Sequence, residues 1–233
     1  MKLIPCIVLC GGVGSRLSKI VYEVPKCLAP INGKPFLFYK LKYLESIGIS
    51  EVFLSIGYLG HKIKKFVESI DTPMNIVIVD EGKNLLGTGG AAKKSYKIIN
   101  GPAFLTYGDT FLDVSYKDVY ERYQHTKNPL MTIYKNNKKY DTSNVLLKDG
   151  KILYKKNKPR SDCQYIDYGL SIFSTKDFEN TDDVFDLSVL QESFSLEGRL
   201  DHFEVKNRFY EIGTPKSLIE TELYLTNYEF KYI

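Results

Sequence analysis

Between Pro5 and Lys26 the chain reads PCIVLCGGVGSRLSKIVYEVPK, and no other stretch limits its fold as tightly. The apolar run Cys6 to Cys10 has the character of a buried strand in a parallel sheet. It empties directly into Gly11-Gly12-Val13-Gly14-Ser15-Arg16. Without Cβ atoms, and with positive φ open to it, such a loop can lie against a ligand. Its amide N–H groups can turn inward as an anion nest. Arg16 follows at once and Lys26 stands ten residues later, so two fixed cations border the nest. A loop of amides with an Arg and a Lys is what a polyphosphate requires, and the segment reads as a grip for a nucleoside triphosphate.

The next elements follow the same logic. Asn32-Gly33 is a tight-turn signal, Pro35 suits a helix start, and Phe36 to Ile47 carries apolar groups at helical spacing with Gly48 closing it. Glu51 to Ile56 is a strand, Ile63 to Ile70 a helix, Asn75 to Val79 a strand, Leu86 to Ile99 a helix, and Ala103 to Tyr107 a strand ending at Gly108-Asp109. Alternating strands and helices of this kind predict an α/β fold with a doubly wound, mainly parallel sheet. In such sheets ligands bind beyond the strand carboxyl ends, where the glycine loop and Asp109 both fall.

Beyond residue 110 the pattern changes. A helix over Val114 to Gln124, with Asp113 as its N-cap, precedes short extended runs at Leu130–Tyr134, Asn144–Leu147, Ile152–Tyr154 and Tyr165–Phe173. A helix over Asp186 to Phe194 and strands at Leu200–Val205 and Phe209–Ile212 come next. Thr214 and Pro215 are the N-cap and first residue of a last helix. The expectation is one domain over 1–233, with its first half at 1–110 and an antiparallel extension at 111–233.

Composition narrows the partners. A hydrophobic share of 43% and a charged share of 26% are those of an ordinary globular chain. The net charge of +4 is small and spread out, which argues against a nucleic acid partner. No apolar run approaches the length that spans a membrane, and the N-terminus enters a core strand with no signal peptide. Cys6, Cys10, Cys27 and Cys163 form no CxxC pair and read as buried small hydrophobes in a reducing compartment, so the expected location is the cytoplasm.

Two common readings of a glycine loop fail on spacing. A dinucleotide fingerprint needs GxGxxG with an immediate helix, but Pro25 soon interrupts and the second strand ends in Ser55-Ile56-Gly57 with no acid. A Walker loop needs GxxxxGK followed by Ser or Thr, which is absent. The segment instead resembles the signature of the sugar-1-phosphate nucleotidyltransferases, GGxG(S/T)RL and then PK. The matching residues are Gly11, Gly12, Gly14, Ser15, Arg16, Leu17, Pro25 and Lys26. The likeness continues at Leu86 to Ala91 (the family's LGTxGA), at Gly108-Asp109, and at Glu211 to Pro215 (its DxGTP). Within the family the chain looks most like the D-glycero-D-manno-heptose 1-phosphate guanylyltransferases, short enzymes without the C-terminal β-helix of many relatives.

The resemblance implies a Rossmann-like nucleotidyltransferase fold and the reaction NTP plus sugar 1-phosphate giving NDP-sugar and pyrophosphate, for surface polysaccharide synthesis. Catalytic roles fall to Arg16 on the leaving pyrophosphate, Lys26 on the α-phosphate, and Asp109. Leu9, Gly11, Gly12, Gly14, Ser15, Gly87 and Thr88 would bind the nucleotide. Asp109 would carry Mg²⁺, with Glu211 as second carboxylate where relatives usually have Asp. For the base edge the candidates are Asp80, Glu81 and Lys83. A carboxylate at Glu81 accepts guanine N1–H and N2–H together, whereas thymine or uracil would match an amide. On the sugar side stand Gly108, Asn144, Lys156, Asp167 and Gly169, with the register of Lys155 to Lys158 left open. A monomer or a homodimer is equally compatible with the apolar helix face at Phe36 to Ile47. Cytidylyl, uridylyl or thymidylyl transfer to another phosphorylated acceptor, or a nucleotide-sensing module without activity, stay open as alternatives.

Overall fold

The computed structural model describes residues 2–12, 24–82 and 84–228. In chain order the elements are β1 (Cys6–Leu9), β2 (Pro30–Ile31), β3 (Lys34–Pro35), α1 (Phe36–Ser46), β4 (Glu51–Ile56), α2 (Gly60–Glu68) and β5 (Asn75–Asp80). Then come α3 (Gly87–Ile99), β6 (Pro102–Tyr107), β7 (Thr110–Phe111), α4 (Tyr116–Thr126), β8 (Leu130–Lys135), β9 (Val145–Lys148), β10 (Lys151–Tyr154) and β11 (Tyr165–Ser174). The chain closes with α5 (Leu187–Leu196), β12 (Asp201–Val205), β13 (Tyr210–Glu211) and α6 (Pro215–Thr226). It folds as two units, one made of Met1–Leu85, Thr106–Phe111 and Tyr210–Ile233, the other of Leu86–Leu105 and Leu112–Phe209.

In the first unit β1, β4 and β5 are parallel neighbours, with Cys6 beside Val52 and Ile56 beside Asp80. These strands are apolar along most of their length because they are buried; Cys6, Ile7, Val8, Val52 and Leu54 are fully enclosed. At their carboxyl ends, Cys10 N–H donates to Ser55 O and Gly108 N–H to Leu9 O. The Asn32-Gly33 turn joins β2 to β3 with both residues at positive φ, as a two-residue hairpin requires. Helix α1 buries Phe36, Leu37, Leu41 and Leu44, and with them Lys40. The rings of Tyr43, Phe111, Tyr224 and Tyr228 meet at centroid distances of 5.0 to 6.2 Å, fastening α1, β7 and α6 together. That knot fixes β7, which follows Asp109.

The second unit holds the antiparallel part. β8 pairs with β11 and β9 with β10, the latter through an Asp149-Gly150 turn with both residues at positive φ. β12 adds to β8 in parallel, with Asp201 beside Leu130. The register of β11 against β8 shifts between Asp167 and Ser171. A bulge of this kind re-aims the side chains beside it. Tyr96 stacks on Phe178 and takes Ala103 O as its hydroxyl's acceptor, anchoring α3.

Sequence and structure differ at two helix starts: Pro35, expected as the first residue of α1, is its N-cap. Asp113 does not begin α4; Ser115 does, its hydroxyl accepting from Asp118 N–H, while Asp113 faces the Asn207 amide. The helix starts where a side-chain oxygen reaches the third amide, and that oxygen belongs to Ser115. Thr214 caps α6 and Pro215 is its first residue, as the sequence leads one to expect.

Candidate active site

In the first unit the end of β1 leads through Leu9 and Cys10 to Gly11 and Gly12. A Cβ on Gly11 would fall inside the Glu81 carboxylate, so this glycine is what lets Glu81 lie against the loop. Glu81 is itself placed by its backbone N–H, which donates to Ile56 O at 2.8 Å. Its neighbour Asp80 is engaged elsewhere: Lys64 binds Oδ2 at 2.7 Å and Gly82 N–H binds Oδ1 at 2.9 Å. Of the acidic pair, the structure brings Glu81 to the glycine loop. Gly14, Ser15, Arg16 and Lys83 lie outside the described residues.

Lys26 Nζ donates to Asp109 Oδ2 at 2.5 Å, in an ion pair that is partly open to solvent. Glu211 comes to the same corner because β13 pairs with β7, placing it opposite Thr110, while Ile212 N–H donates to Asp109 O at 3.1 Å. Its Oε2 accepts from Gly213 N–H at 2.6 Å. A Cβ on Gly213 would strike that carboxylate and lie 3.2 Å from Lys26 Nζ, so Lys26, Asp109 and Glu211 converge. Gly108 packs on the β1 end, where a Cβ would come within 2.5 Å of Cys10 Sγ. The four cysteines are free and buried, and the Cys27 thiol is held well above its ordinary range by a hydrogen bond to Cys10 and by burial.

Sequence reasoning missed Lys40, which it counted along an apolar helix. The residue is 2% exposed, and its ammonium donates to Thr110 O at 2.7 Å and Thr106 Oγ1 at 3.2 Å. Burial pulls its pKa down to about 8, against the pull of nearby Asp109, Cys6 and Cys10. The available signal was positional: Lys40 stands four residues after Phe36 and three after Leu37, on the face that α1 buries.

In the second unit the turn before α3 is docked on the segment before α5. Phe185 N–H donates to Leu86 O, and Gly89 N–H to Phe185 O. Gly87 lies on the Phe185 carbonyl with no room for a side chain, and Thr88 Oγ1 accepts from Leu187 N–H at 2.9 Å. The four sugar-side candidates of this unit also gather. Asn144 Oδ1 accepts from Asp167 N–H at 2.9 Å, and Asp167 Oδ1 from Gly169 N–H at 3.0 Å. Gly169 sits in the bulge at φ +96°, which a side chain would strain. Lys156 binds both oxygens of Asp186, at 3.1 and 2.8 Å, and contributes a favourable charge to Asp167. Burial nevertheless lifts the Asp167 carboxyl to about 6. Gln191 on α5, which carries no motif and was not expected, lies near Asp167, and its amide favours the charged carboxylate.

Chemically, the first unit offers backbone amides and a lysine for a polyphosphate, and two adjacent carboxylates for a hard cation. No cluster of three or more metal-ligating side chains occurs among the described residues. The Asp109–Glu211 pair suits Mg²⁺, which takes one or two carboxylates and fills its other positions with water and phosphate oxygens. Among the described residues no helix is long and apolar enough to cross a membrane.

Comparison with known proteins agrees with this arrangement. The model of the MobA-like NTP transferase domain matches residues 6–140. The chain is 34% identical over 220 residues to a D-glycero-alpha-D-manno-heptose 1-phosphate guanylyltransferase of Campylobacter jejuni, covering 90% of this chain and 95% of that protein. It is 31% identical over 234 residues to the enzyme of the same name from Aneurinibacillus thermoaerophilus, covering 95% and 98%. In fold it is similar to HddC from Yersinia pseudotuberculosis, solved with GMP-PN, at a TM-score of 0.77 and 24% identity over 96% of this chain and all of that one. It is similar likewise to the inositol-1-phosphate CTP transferase of T. maritima, at a TM-score of 0.80 and 19% identity over 100% and 98% of the two chains. The glycine loop at the end of β1, the Lys26–Asp109–Glu211 corner and these matches together place the chain in the MobA-like NTP transferase family, among the sugar-1-phosphate nucleotidyltransferases.

Proposed function

We propose that the protein transfers a guanylyl group from GTP to a sugar 1-phosphate, with a heptose 1-phosphate as the favoured acceptor, forming a GDP-sugar and pyrophosphate. The observation that carries the reading is the Lys26–Asp109–Glu211 corner beside the β1 glycine loop. Two relatives at 34% and 31% identity are named for this activity. In the reaction a sugar phosphate oxygen attacks the α-phosphorus in line, and the bond to the bridging oxygen of the β-phosphate breaks. Catalysis of such a transfer is positioning and charge neutralisation. The amides of Gly11 and Gly12 hold phosphate oxygens, and Lys26 neutralises charge that grows at the α-phosphate. Asp109 and Glu211 would hold Mg²⁺, which when bound draws charge from the phosphate oxygens. Lys26, which pairs with Asp109 in this structure, would be free to face the phosphate were Asp109 held by the metal. Arg16 takes the leaving pyrophosphate.

Base choice rests on Glu81, whose carboxylate lies against Gly11 and can accept N1–H and N2–H of guanine together. Acceptor binding falls to Asn144, Lys156, Asp167 and Gly169, with Asp167 accepting from a sugar hydroxyl. A cytoplasmic monomer or homodimer fits this role. Pyrophosphate release with Mg²⁺, each of the common NTPs and a panel of sugar 1-phosphates tests the assignment. Release with GTP and a heptose 1-phosphate is expected. Release with CTP alone would remove Glu81 as a guanine reader.

A further inference from the structure

Asp109 sits on a very short connection. β6 ends at Tyr107 and β7 begins at Thr110, so only Gly108 and Asp109 lie between them. Hydrogen bonds tie the backbone here: Gly108 N–H donates to Leu9 O, Ile212 N–H to Asp109 O, and Thr110 Oγ1 to Tyr107 O. From beneath, α1 adds a further tie. The Lys40 ammonium donates to Thr110 O on β7 at 2.7 Å and to Thr106 Oγ1 on β6 at 3.2 Å. One buried group thus grips both strands, on either side of Asp109.

Packing does not account for a lysine at this place. Its neighbours on the buried face of α1 are Phe36, Leu37, Leu41 and Leu44, and Thr106 is enclosed as well. A methionine would fill similar space without taking an ammonium out of water, and an apolar group of like volume in place of a buried charge is often neutral or stabilising. The charge is kept against that cost. What the ammonium reaches is the connection that carries Asp109. It holds two acceptors that flank Asp109, and the Asp109 carboxylate is among the charges that favour the protonated lysine. Asp109 therefore has one ammonium partly open to solvent, Lys26, and one enclosed, Lys40. Lys26 can exchange one partner for another. Lys40, at 2% exposure, cannot.

We propose that Lys40 is a positioning residue for the divalent cation: it braces the β6–β7 connection so that the Asp109 carboxylate meets the metal in one fixed orientation. The inference rests on the reading of Asp109 as a metal-binding carboxylate. A carboxylate whose support is removed still binds, but more weakly. Groups that orient metal-binding side chains typically contribute about 10- to 100-fold in affinity.

The test uses the full chain at neutral pH with Mn²⁺ as probe, its binding read from water-proton relaxation in the presence of the unreactive nucleotide α,β-methylene-GTP. Lys40→Met, Thr106→Val and Asp109→Asn are compared with wild type, all well below their melting points. Lys40→Met should raise the Kd for Mn²⁺ about tenfold or more, with the same number of sites per chain. Thr106→Val keeps the shape of the side chain and removes one acceptor, and should raise it about threefold. In turnover, Lys40→Met should need about tenfold more Mg²⁺ for half-maximal rate and return to within about threefold of the wild-type kcat once Mg²⁺ saturates. A role in stability alone would move the unfolding midpoint and leave the affinity of the folded chain where it was. Should Lys40→Met not fold, Thr106→Val decides. Mn²⁺ affinity within about twofold of wild type in both variants, or fewer sites per chain rather than weaker ones, overturns the brace if Asp109→Asn does weaken binding. Asp109→Asn without effect overturns the reading of Asp109, and the brace with it.

Discussion

Lys40 gives a stability signature that can be worked through in full. Its ammonium is 2% exposed, and its pKa stands at about 8 in the folded chain against 10.5 when unperturbed. Burial is the chief cause, because it penalises the charged form. Below pH 8 both the folded and the unfolded chain carry the proton, so the folded state bears the whole penalty. Between pH 8 and 10.5 the unfolded chain keeps a proton that the folded chain has lost, and stability therefore rises with pH through this window. At about 1.4 kcal/mol per pH unit, going from pH 7 to about 9.5 should bring a relative gain on the order of 2 kcal/mol. Other groups titrate over the same range, notably the buried Cys6 thiol, which is pushed up to about 12 and acts in the opposite sense. Comparison with Lys40→Met removes them. Urea denaturation of both chains at intervals from pH 7 to pH 9.5 should show wild type gaining on the variant by about that amount. The lost hydrogen bonds to Thr110 O and Thr106 Oγ1 add an offset without this slope. A stability difference that stays flat with pH would falsify the burial of a charged Lys40 beneath β7.

Gly11→Ala should displace the Glu81 carboxylate, since its Cβ would occupy the same space, and lower kcat/KM for GTP at least about tenfold; turnover at the wild-type level would separate Glu81 from the loop. Asp109→Asn should cut turnover by at least about a hundredfold while the thermal midpoint holds, read by pyrophosphate release and a melting curve together. Gly169→Ala should destabilise the chain by about 1–2 kcal/mol because of its positive φ, and raise the sugar KM, whereas an unchanged midpoint of unfolding would show the bulge relaxing freely. Phe173→Ala, in a fully buried ring cluster with Phe178 and Phe194, should cost about 3–5 kcal/mol in urea titration without altering kcat.

What the sequence discloses is mostly local. Strand β4 is legible at Glu51–Ile56 because β-branched and aromatic residues run between clear breaks, and α6 because Thr214-Pro215 can hardly be anything but a helix start. The glycine loop and Asp109 are legible for the same reason, as residue types at strand carboxyl ends, while Glu211 is legible only through the resemblance of Glu211 to Pro215 to the family's DxGTP. Pairings across long separations are not local properties. That β12 runs parallel to β8, or that the chain returns after Tyr210 to set Glu211 opposite Thr110, depends on contacts a periodicity cannot encode. Lys40 and Gln191 share another difficulty. A polar residue on a buried helical face reads as a break in the pattern, and only the partners it meets show its purpose.

Phosphorus-31 NMR of the reaction mixture tests nucleotidyl transfer most directly. The purified chain is incubated with Mg²⁺, GTP and D-glycero-D-manno-heptose 1-phosphate carrying oxygen-18 in its phosphate. The expected result is loss of the phosphomonoester signal, growth of a coupled diphosphate diester and release of pyrophosphate. The oxygen-18 should lie in the new P–O–P bridge and its adjoining phosphate, as attack by the sugar phosphate oxygen requires. Unchanged spectra with GTP, CTP, UTP and dTTP against every sugar 1-phosphate tried would contradict the transfer, and label leaving with pyrophosphate would contradict the direction of attack.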